Sequence, residues 1–326
     1  MTLVLLTHTP EMREQYYGAR ALAGLRKLAD IRLHESPVPL DAAGLRAAAQ
    51  RADYIVADRL TPVPDVFAGL PGLRAVLRCA VDIRNIDLAA ASAAGVLVTR
   101  ASPGFVAAVV ELAVGFMVDL SRGISRSTAG YQAGRPPAAR MGRQLAGSRI
   151  GIVGYGSIGR ALAPVAAALG MEVLIADPHA VVDDGRFTQL PLAALLEAAD
   201  YVVCLAVATE ATENLMDAAS FARMRPEACF LNLSRGNLVD EAALAAALAA
   251  GRIAGAALDV GRAPDQMPSP ALAGMPQVIA TPHIGGLTPQ AIEHQALGTV
   301  TQLAALLAGA VPEGAVNAES WSRRTR

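Results

Sequence analysis

Residues 149–163 read RIGIVGYGSIGRALA, an apolar run followed by three closely spaced glycines and an alanine-rich stretch. This pattern predicts a buried strand, a tight turn, and a helix over 157–169. The next apolar run, EVLIAD (172–177), ends in Asp177, 18 residues after Gly159. A strand, a glycine turn, a helix, a second strand and a terminal carboxylate, in this order, are typical of a doubly wound α/β domain.

The glycine turn and the carboxylate together predict a dinucleotide site. The first glycine permits the turn, the second lets the backbone approach a pyrophosphate, and the third lets the helix pack against the strand. The helix N-terminus adds unpaired N–H groups and a partial positive charge. A carboxylate at the end of the second strand accepts hydrogen bonds from ribose hydroxyls and repels a 2′-phosphate, which favours NAD over NADP. The residues predicted to bind NAD here are Gly154, Gly156, Ser157, Ile158, Gly159 and Asp177.

The alternation of strand and helix continues on both sides of this segment. Strands are predicted at 3–7, 30–33, 54–57, 75–79, 96–99, 149–154, 172–177, 201–206, 229–234, 255–260 and 277–282. Helices are predicted at 11–29, 104–121, 158–169, 191–199, 218–223, 240–250 and 288–309, whereas 122–147 is an Arg/Gly/Pro segment without a clear core face. Strands separated by helices indicate parallel sheets, and the length of the chain indicates two domains.

The composition excludes several classes of protein. Hydrophobic residues make up 53% of the 326 residues and charged residues 17%, which indicates a folded chain. The 28 basic and 29 acidic residues nearly cancel, so neither a nucleic acid nor a membrane surface is an expected partner. No apolar run is long enough to cross a membrane, and the N-terminus lacks a signal pattern. Cys79, Cys204 and Cys229 are expected to be reduced core thiols in a cytoplasmic protein, and no metal-ligand spacing is present.

Two polar residues follow later strands at the sheet edge where ligands bind in open α/β folds. Arg235 lies in NLSRG (232–236) and His283 in TPHIGG (281–286). An arginine there can bind a carboxylate bidentately and polarise the adjacent carbonyl. A histidine can exchange a proton with a hydroxyl or a carbonyl near neutral pH. Beside an NAD loop, this pair predicts hydride transfer to or from a 2-oxo acid.

Three segments carry a resemblance to a known family: LAGSRIGIVGYGSIGRALA (145–163), FLNLSRGNLVDEAALAAALAAGRIAGAALDV (230–260) and VIATPHIGG (278–286). With them the chain resembles the D-isomer-specific 2-hydroxyacid dehydrogenases over nearly its whole length. The resemblance implies a Rossmann-type, doubly wound NAD-binding domain of residues 99–285. That domain is inserted into a smaller flavodoxin-like α/β substrate domain of residues 1–98 plus 286–326. It also implies a homodimer formed largely through residues 104–145.

The resemblance also assigns roles to residues. Arg235 corresponds to the substrate-binding catalytic arginine and His283 to the acid/base. Asp259 corresponds to a carboxylate near the nicotinamide amide, and Ala206, Leu233 and Gly286 lie on segments that line the cofactor.

The chain departs from the family at the third catalytic position. The family has a glutamate five residues after the aspartate of the LDV strand, and here Pro264 stands there, 19 residues before His283. A carboxylate beside an imidazole stabilises the protonated ring and fixes its tautomer, so its loss weakens acid catalysis of ketone reduction. Either the neighbouring Asp265 substitutes for it, or the histidine works unassisted and favours oxidation, or the reaction needs little acid–base help, as in relatives that oxidise formate. Our hypothesis is the first.

A second departure lies in the expected substrate loop. The family's Gly-x-Gly, whose amides bind the substrate carboxylate, is replaced by Ala80-Val81-Asp82, and the usual asparagine before the long helix is Arg100. Val81, Asp82 and Arg100 are therefore the predicted substrate-binding residues. Arg100 either binds a second anionic group of the substrate or forms an ion pair with Asp82.

These observations predict an NAD-dependent D-2-hydroxyacid dehydrogenase. Its substrate would be of the glyoxylate or hydroxypyruvate type, or a more anionic 2-oxo acid. The alternative is a non-catalytic NAD-binding regulator of the same fold, which the missing glutamate and the altered loop favour and the retained arginine and histidine oppose.

Overall fold

The computed structural model describes residues 2–58 and 61–324. Two compact units make up the chain. One consists of Met1–Phe105 together with Thr288–Arg326, and the other of Val106–Leu287.

Short strands alternate with helices along the whole chain. The strands are β1 (Leu3–Leu6), β2 (Asp30–Leu33), β3 (Tyr54–Ala57), β4 (Ala75–Arg78), β5 (Leu97–Thr99), β6 (Arg149–Val153), β7 (Glu172–Ala176), β8 (Thr188–Gln189), β9 (Tyr201–Cys204), β10 (Cys229–Asn232), β11 (Gly255–Leu258) and β12 (Val278–Ala280). The helices are α1 (Pro10–Tyr16), α2 (Ala19–Arg26), α3 (Ala42–Ala48), α4 (Leu88–Ala93), α5 (Val106–Arg122), α6 (Ile124–Gln132), α7 (Ser157–Ala168), α8 (Leu192–Ala198), α9 (Ala218–Arg223), α10 (Glu241–Ala249), α11 (Pro270–Ala273) and α12 (Pro289–Leu307).

The first unit is a five-stranded parallel sheet in the order β2-β1-β3-β4-β5, with apolar layers on both faces. Successive residues of a strand point to opposite faces. Leu5, Ile55 and Val76 accordingly pack in one cluster. Val4, Tyr54 and Ala75 point to the other face and pack there with α2 and α12. The strand order is that of flavodoxin-like folds.

The second unit is a seven-stranded parallel sheet in the order β12-β11-β10-β9-β6-β7-β8. Counted from β6, this is the Rossmann order with one further strand. The strands beside β6 are buried along nearly their whole length, which explains their uninterrupted apolar sequences. The predicted fold class, a doubly wound parallel sheet with a smaller flavodoxin-like α/β domain, is confirmed.

One local prediction was wrong, and several short elements were not predicted. The helix expected over 11–29 is two helices, because Gly18 adopts φ +85 between them and stops the first. The segment 122–147 contains α6, which has no buried residue, in keeping with the absence of a clear core face there. The two-residue strand β8 is exposed and was likewise not expected.

The structure also bears on two expectations drawn from composition. The three cysteines are free and buried, as predicted for core thiols. Within the described ranges, no helix combines the length and the apolar character that a membrane crossing requires.

Candidate cofactor and catalytic site

The glycine turn follows β6 and leads directly into α7. Gly154 adopts φ +101, and a Cβ built there would lie 2.6 Å from the backbone nitrogen of Ala206, which follows β9. A Cβ at Gly159 would overlap the carbonyl oxygen of Gly154 and would lie 3.3 Å from Cγ2 of Ile152. Two of the three glycines are therefore required by the fold itself, since any side chain would separate β6 from β9 or from α7.

Gly156 is different, because the fold does not require a glycine there. Its φ of −77 suits any residue, and a Cβ would meet no heavy atom within 4 Å. Gly156 is the N-cap of α7 and no side chain caps the helix, so the N–H groups of Ser157 and Ile158 lie at an uncapped N-terminus. Open space in front of uncapped N–H groups fits the pyrophosphate of a dinucleotide.

Asp177 follows β7 and fastens the glycine turn. Its Oδ2 accepts a hydrogen bond from the Tyr155 N–H at 2.7 Å, and its Oδ1 accepts from the N–H groups of His179 and Ala180 at 2.8 and 3.1 Å. Partial burial acts to raise the pKa of Asp177, but the three backbone donors outweigh it, so the pKa lies below its ordinary value. The ionised carboxylate keeps lone pairs that fit the hydroxyls of a ribose.

The loop that carries His283 is held by Asp259, which follows β11 and is 2% exposed. The Asp259 carboxylate accepts hydrogen bonds from the Thr281 hydroxyl at 2.6 Å and from the N–H groups of Ile284 and Gly285, both at 2.8 Å. The Asp259 carbonyl accepts the His283 N–H at 3.0 Å. Asp259 thus organises the histidine loop, while the role toward the nicotinamide that the resemblance implies stays a prediction.

Asp265 reaches His283 through its main chain. The Asp265 carbonyl oxygen lies 2.9 Å from Nδ1 of the imidazole. The hypothesis drawn from the sequence is that the Asp265 side chain takes the place of the missing glutamate. The contact is made by the carbonyl because Asp265 adopts φ +55 in the turn that begins at Pro264.

Arg235 lies three residues after β10, in a loop fixed by its neighbours. The side chain of Asn232, 1% exposed, donates to the Arg235 carbonyl at 3.0 Å and accepts the Ser234 N–H at 3.2 Å. The Ser234 hydroxyl donates to the Ala206 carbonyl at 2.6 Å. Arg235 is half-buried, and its Nη1 donates to the Ser234 carbonyl at 2.7 Å.

Strands β10 and β12 lie on either side of β11, so their backbones are about 10 Å apart. Arg235, Asp259 and His283 therefore follow the carboxyl ends of three adjacent strands, β10, β11 and β12, with Asp259 in the middle. Of the cofactor-lining residues that the resemblance implies, Leu233 follows β10 and is buried, Ala206 follows β9 and is half-buried, and Gly286 lies in the histidine loop.

The predicted substrate residues belong to the first unit. The Asp82 carboxylate accepts from Arg84, with Nε at 2.9 and 3.0 Å and Nη2 at 2.5 Å, and this contact raises the pKa of Arg84. Val81 is half-buried, and Arg100 is exposed with no carboxylate partner among the described residues. The ion pair considered between Asp82 and Arg100 is therefore not formed among the described residues. The Asp82 carboxylate is paired with Arg84 instead, two residues along the chain.

Two features that shape the site were not predicted from the sequence: the Asn232 amide, and the main-chain carbonyl of Asp265, whose carboxylate was the group expected to act. Asn232 ends a buried strand, and an amide at such a position was a readable signal. The Asp265 carbonyl was not readable, since every residue has one and only the turn conformation directs it.

Comparisons with known proteins identify the family of the chain. Residues 114–285 match the family model for the D-isomer specific 2-hydroxyacid dehydrogenase NAD binding domain. The chain is 37% identical over 256 residues to (S)-sulfolactate dehydrogenase of Chromohalobacter salexigens, covering 77% of this chain and 81% of that protein. It is 32% identical over 305 residues to D-3-phosphoglycerate dehydrogenase of Mycobacterium leprae, covering 91% of this chain but 57% of that longer protein. The structure of D-lactate dehydrogenase from Lactobacillus jensenii has the same fold, with a TM-score of 0.82, 24% identity, and coverage of 97% of this chain and 99% of that one.

Proposed function

The chain belongs to the D-isomer-specific 2-hydroxyacid dehydrogenase family, and from this premise we propose that it interconverts a 2-oxo acid and its D-2-hydroxy acid through Arg235 and His283. NAD-dependent oxidoreduction between 2-oxo and 2-hydroxy acids is the reaction of this family, and the predicted NAD dependence is confirmed. The observation that carries the proposal is that the candidate residues all lie at the carboxyl ends of strands in one sheet. The glycine turn, Arg235 and His283 all follow carboxyl ends of parallel strands in one sheet.

In this proposal the chain's own residues bind the substrate and move one proton. The Arg235 guanidinium binds the substrate carboxylate and polarises the C2 oxygen. In the oxidation direction, Nε2 of His283 accepts the hydroxyl proton while the C2 hydrogen leaves as hydride, and reduction reverses both transfers. Bound NAD supplies the hydride acceptor or donor, on the surface formed by Gly156, the α7 N-terminus and Asp177.

We propose that residues 99–285 form the NAD-binding domain and that residues 1–98 with 286–326 form the substrate domain. Val81, Asp82 and Arg100 of the substrate domain would contact the substrate, and the exposed guanidinium of Arg100 fits a second anionic group. The name of the sulfolactate relative indicates such a doubly anionic acid for that protein. A plain glyoxylate or hydroxypyruvate-type substrate remains the second candidate, because the main catalytic pair recognises only the 2-oxo acid end.

We also propose that the protein forms a homodimer and is located in the cytoplasm. Ile124, Tyr131 and Met141 are 53%, 65% and 99% exposed, and they lie within the segment 104–145 to which the resemblance assigns subunit contact. Apolar side chains gathered on one segment are favourable only when something covers them, and a second copy does so. Three free, buried thiols are consistent with a reducing compartment.

The test is the change in NADH absorbance with a panel of 2-oxo acids at acidic, neutral and alkaline pH. The panel should pair glyoxylate and hydroxypyruvate with acids that carry a sulfonate or a phosphate. We expect turnover of at least one acid, and a loss of at least about a hundredfold in kcat/KM for Arg235→Ala with NADH binding retained. NADH binding without turnover of any 2-oxo acid would favour the non-catalytic regulator instead.

A further inference from the structure

The turn at Pro264–Gln266 has an unusual backbone conformation. Asp265 and Gln266 both adopt left-handed conformations, with φ +55 and +59, although neither is glycine. The turn is closed by hydrogen bonds from the Gly261 N–H to the Gln266 carbonyl at 2.8 Å and from the Ala263 N–H to the Met267 carbonyl at 3.0 Å. Such conformations persist only where the surroundings enforce them, and they concentrate at functional sites.

This conformation brings the Asp265 main chain to His283. It directs the Asp265 carbonyl to Nδ1 of His283 at 2.9 Å. A carbonyl oxygen can only accept a hydrogen bond, so Nδ1 must carry the proton of the neutral ring. Nε2 then holds the lone pair, and no described residue hydrogen-bonds to it. His283 is itself fixed at φ +55 by the Asp259 loop, so the contact is determined from both sides.

We propose that the main-chain carbonyl of Asp265 replaces the absent glutamate as the group that positions His283 and fixes its tautomer. This inference rests on the proposed function and adds a consequence to it. A carbonyl orients the ring as a carboxylate does but places no full charge beside Nδ1. His283 is therefore prepared to accept a proton, and the charge of the protonated ring is not neutralised by its orienting partner.

The charged groups around the imidazole come from three loops. Asp259 lies on the loop beneath it, Asp265 contributes its carboxylate to the same turn as the carbonyl, and Arg235 follows β10 on the other side of β11. Pro264 supplies no carboxylate, so these three loops carry charges of both signs but none at that position. The expected result is an enzyme in which reduction of the 2-oxo acid is weakened more than oxidation of the hydroxy acid.

The tautomer can be measured without turnover, by nitrogen NMR of the imidazoles in the full-length protein with NAD bound. The experiment uses histidine labelled with 15N at slightly alkaline pH, and His283→Gln assigns the signal. We expect the Nδ1–H pattern for His283. His34 is an internal standard of the opposite kind, since its Nε2 lies 2.8 Å from the Val38 carbonyl and must carry the proton. An Nε2–H pattern for His283 overturns the proposal even if the protein turns over 2-oxo acids.

Two variants at position 265 separate the carbonyl from the carboxylate. Asp265→Asn removes the charge and still tolerates a positive φ, so the Nδ1–H pattern should persist. Asp265→Val disfavours a positive φ and should lose the pattern through movement of the carbonyl. Loss of the pattern in Asp265→Asn would assign the orienting role to the carboxylate and overturn the proposal.

Position 264 tests the missing charge in kinetics. Pro264→Glu restores a carboxylate and Pro264→Gln is its uncharged match. We expect the glutamate variant to exceed the glutamine variant about tenfold in kcat/KM for reduction at alkaline pH, with a smaller difference for oxidation, because a carboxylate stabilises the protonated imidazole that reduction requires. Equal pH profiles for the two variants would overturn the claim that charge is lacking. Turnover failing in every variant while the tautomer pattern holds would instead refute the proposed function alone.

Discussion

Gly156 offers the sharpest test of the cofactor site, because the fold has no use for a glycine there. Gly156→Ala places a methyl group where no heavy atom lies within 4 Å, at φ −77. Alanine in place of glycine as N-cap costs about 0.5–1 kcal/mol. The same change stabilises by about 0.4–1 kcal/mol through the unfolded chain. The two effects nearly cancel, so we expect the melting temperature to stay within about 2 °C of wild type.

The affinity for NAD, by contrast, should fall strongly in Gly156→Ala. A methyl at the N-cap of α7 occupies the space in front of the Ser157 and Ile158 N–H groups, where a pyrophosphate would accept hydrogen bonds. A hydrogen bond to a charged group contributes about 1.5–3 kcal/mol. Loss of one such bond raises the dissociation constant roughly 10- to 150-fold.

The assay is titration of NADH fluorescence or calorimetry, alongside thermal denaturation of the same preparations. Gly298→Ala is the matched control, since a Cβ at Gly298 also meets nothing within 4 Å and the residue lies in α12, in the other unit. If Gly156→Ala binds NADH within about twofold of the control, the pyrophosphate does not lie against this helix and the cofactor assignment fails.

Three other predictions concern stability and specificity. Gly154→Ala should lower the free energy of unfolding by roughly 3 kcal/mol or more, measured by urea denaturation, since φ is +101 and the Cβ would lie 2.6 Å from the Ala206 nitrogen. Burial lowers the pKa of His8 from 6.5 to about 4, although Asp58 acts to raise it. The stability this contributes is complete above pH 6.5 and is lost as the pH falls to 4, by about 3 kcal/mol. His8→Phe should flatten that fall, and an unchanged slope would contradict the assignment. Arg100→Gln should reduce kcat/KM about tenfold more for a doubly anionic 2-oxo acid than for glyoxylate, and an equal effect on both would remove Arg100 from substrate recognition.

Much of the second unit was predictable because its signals are local. Apolar runs bounded by glycine and aspartate place β6 and β7, and the spacing from Gly154 to Asp177 identifies the cofactor turn without any knowledge of packing. The interrupted helix near Gly18 was less predictable, since one glycine in an apolar-periodic stretch is usually tolerated. The helix α6 was not predicted, because none of its residues is buried and it lies in a segment rich in arginine, glycine and proline.

By itself the sequence determined the two-sheet α/β class and the NAD turn, and it named Arg235 and His283 as candidate catalytic residues. Each of these is written in side chains at fixed spacing along one strand, turn or helix. Only the tertiary structure decided which group hydrogen-bonds to Nδ1 of His283 and which side chain binds the Asp82 carboxylate. Those partners depend on backbone dihedrals and on loops meeting across neighbouring strands, and a main-chain carbonyl leaves no mark in a sequence.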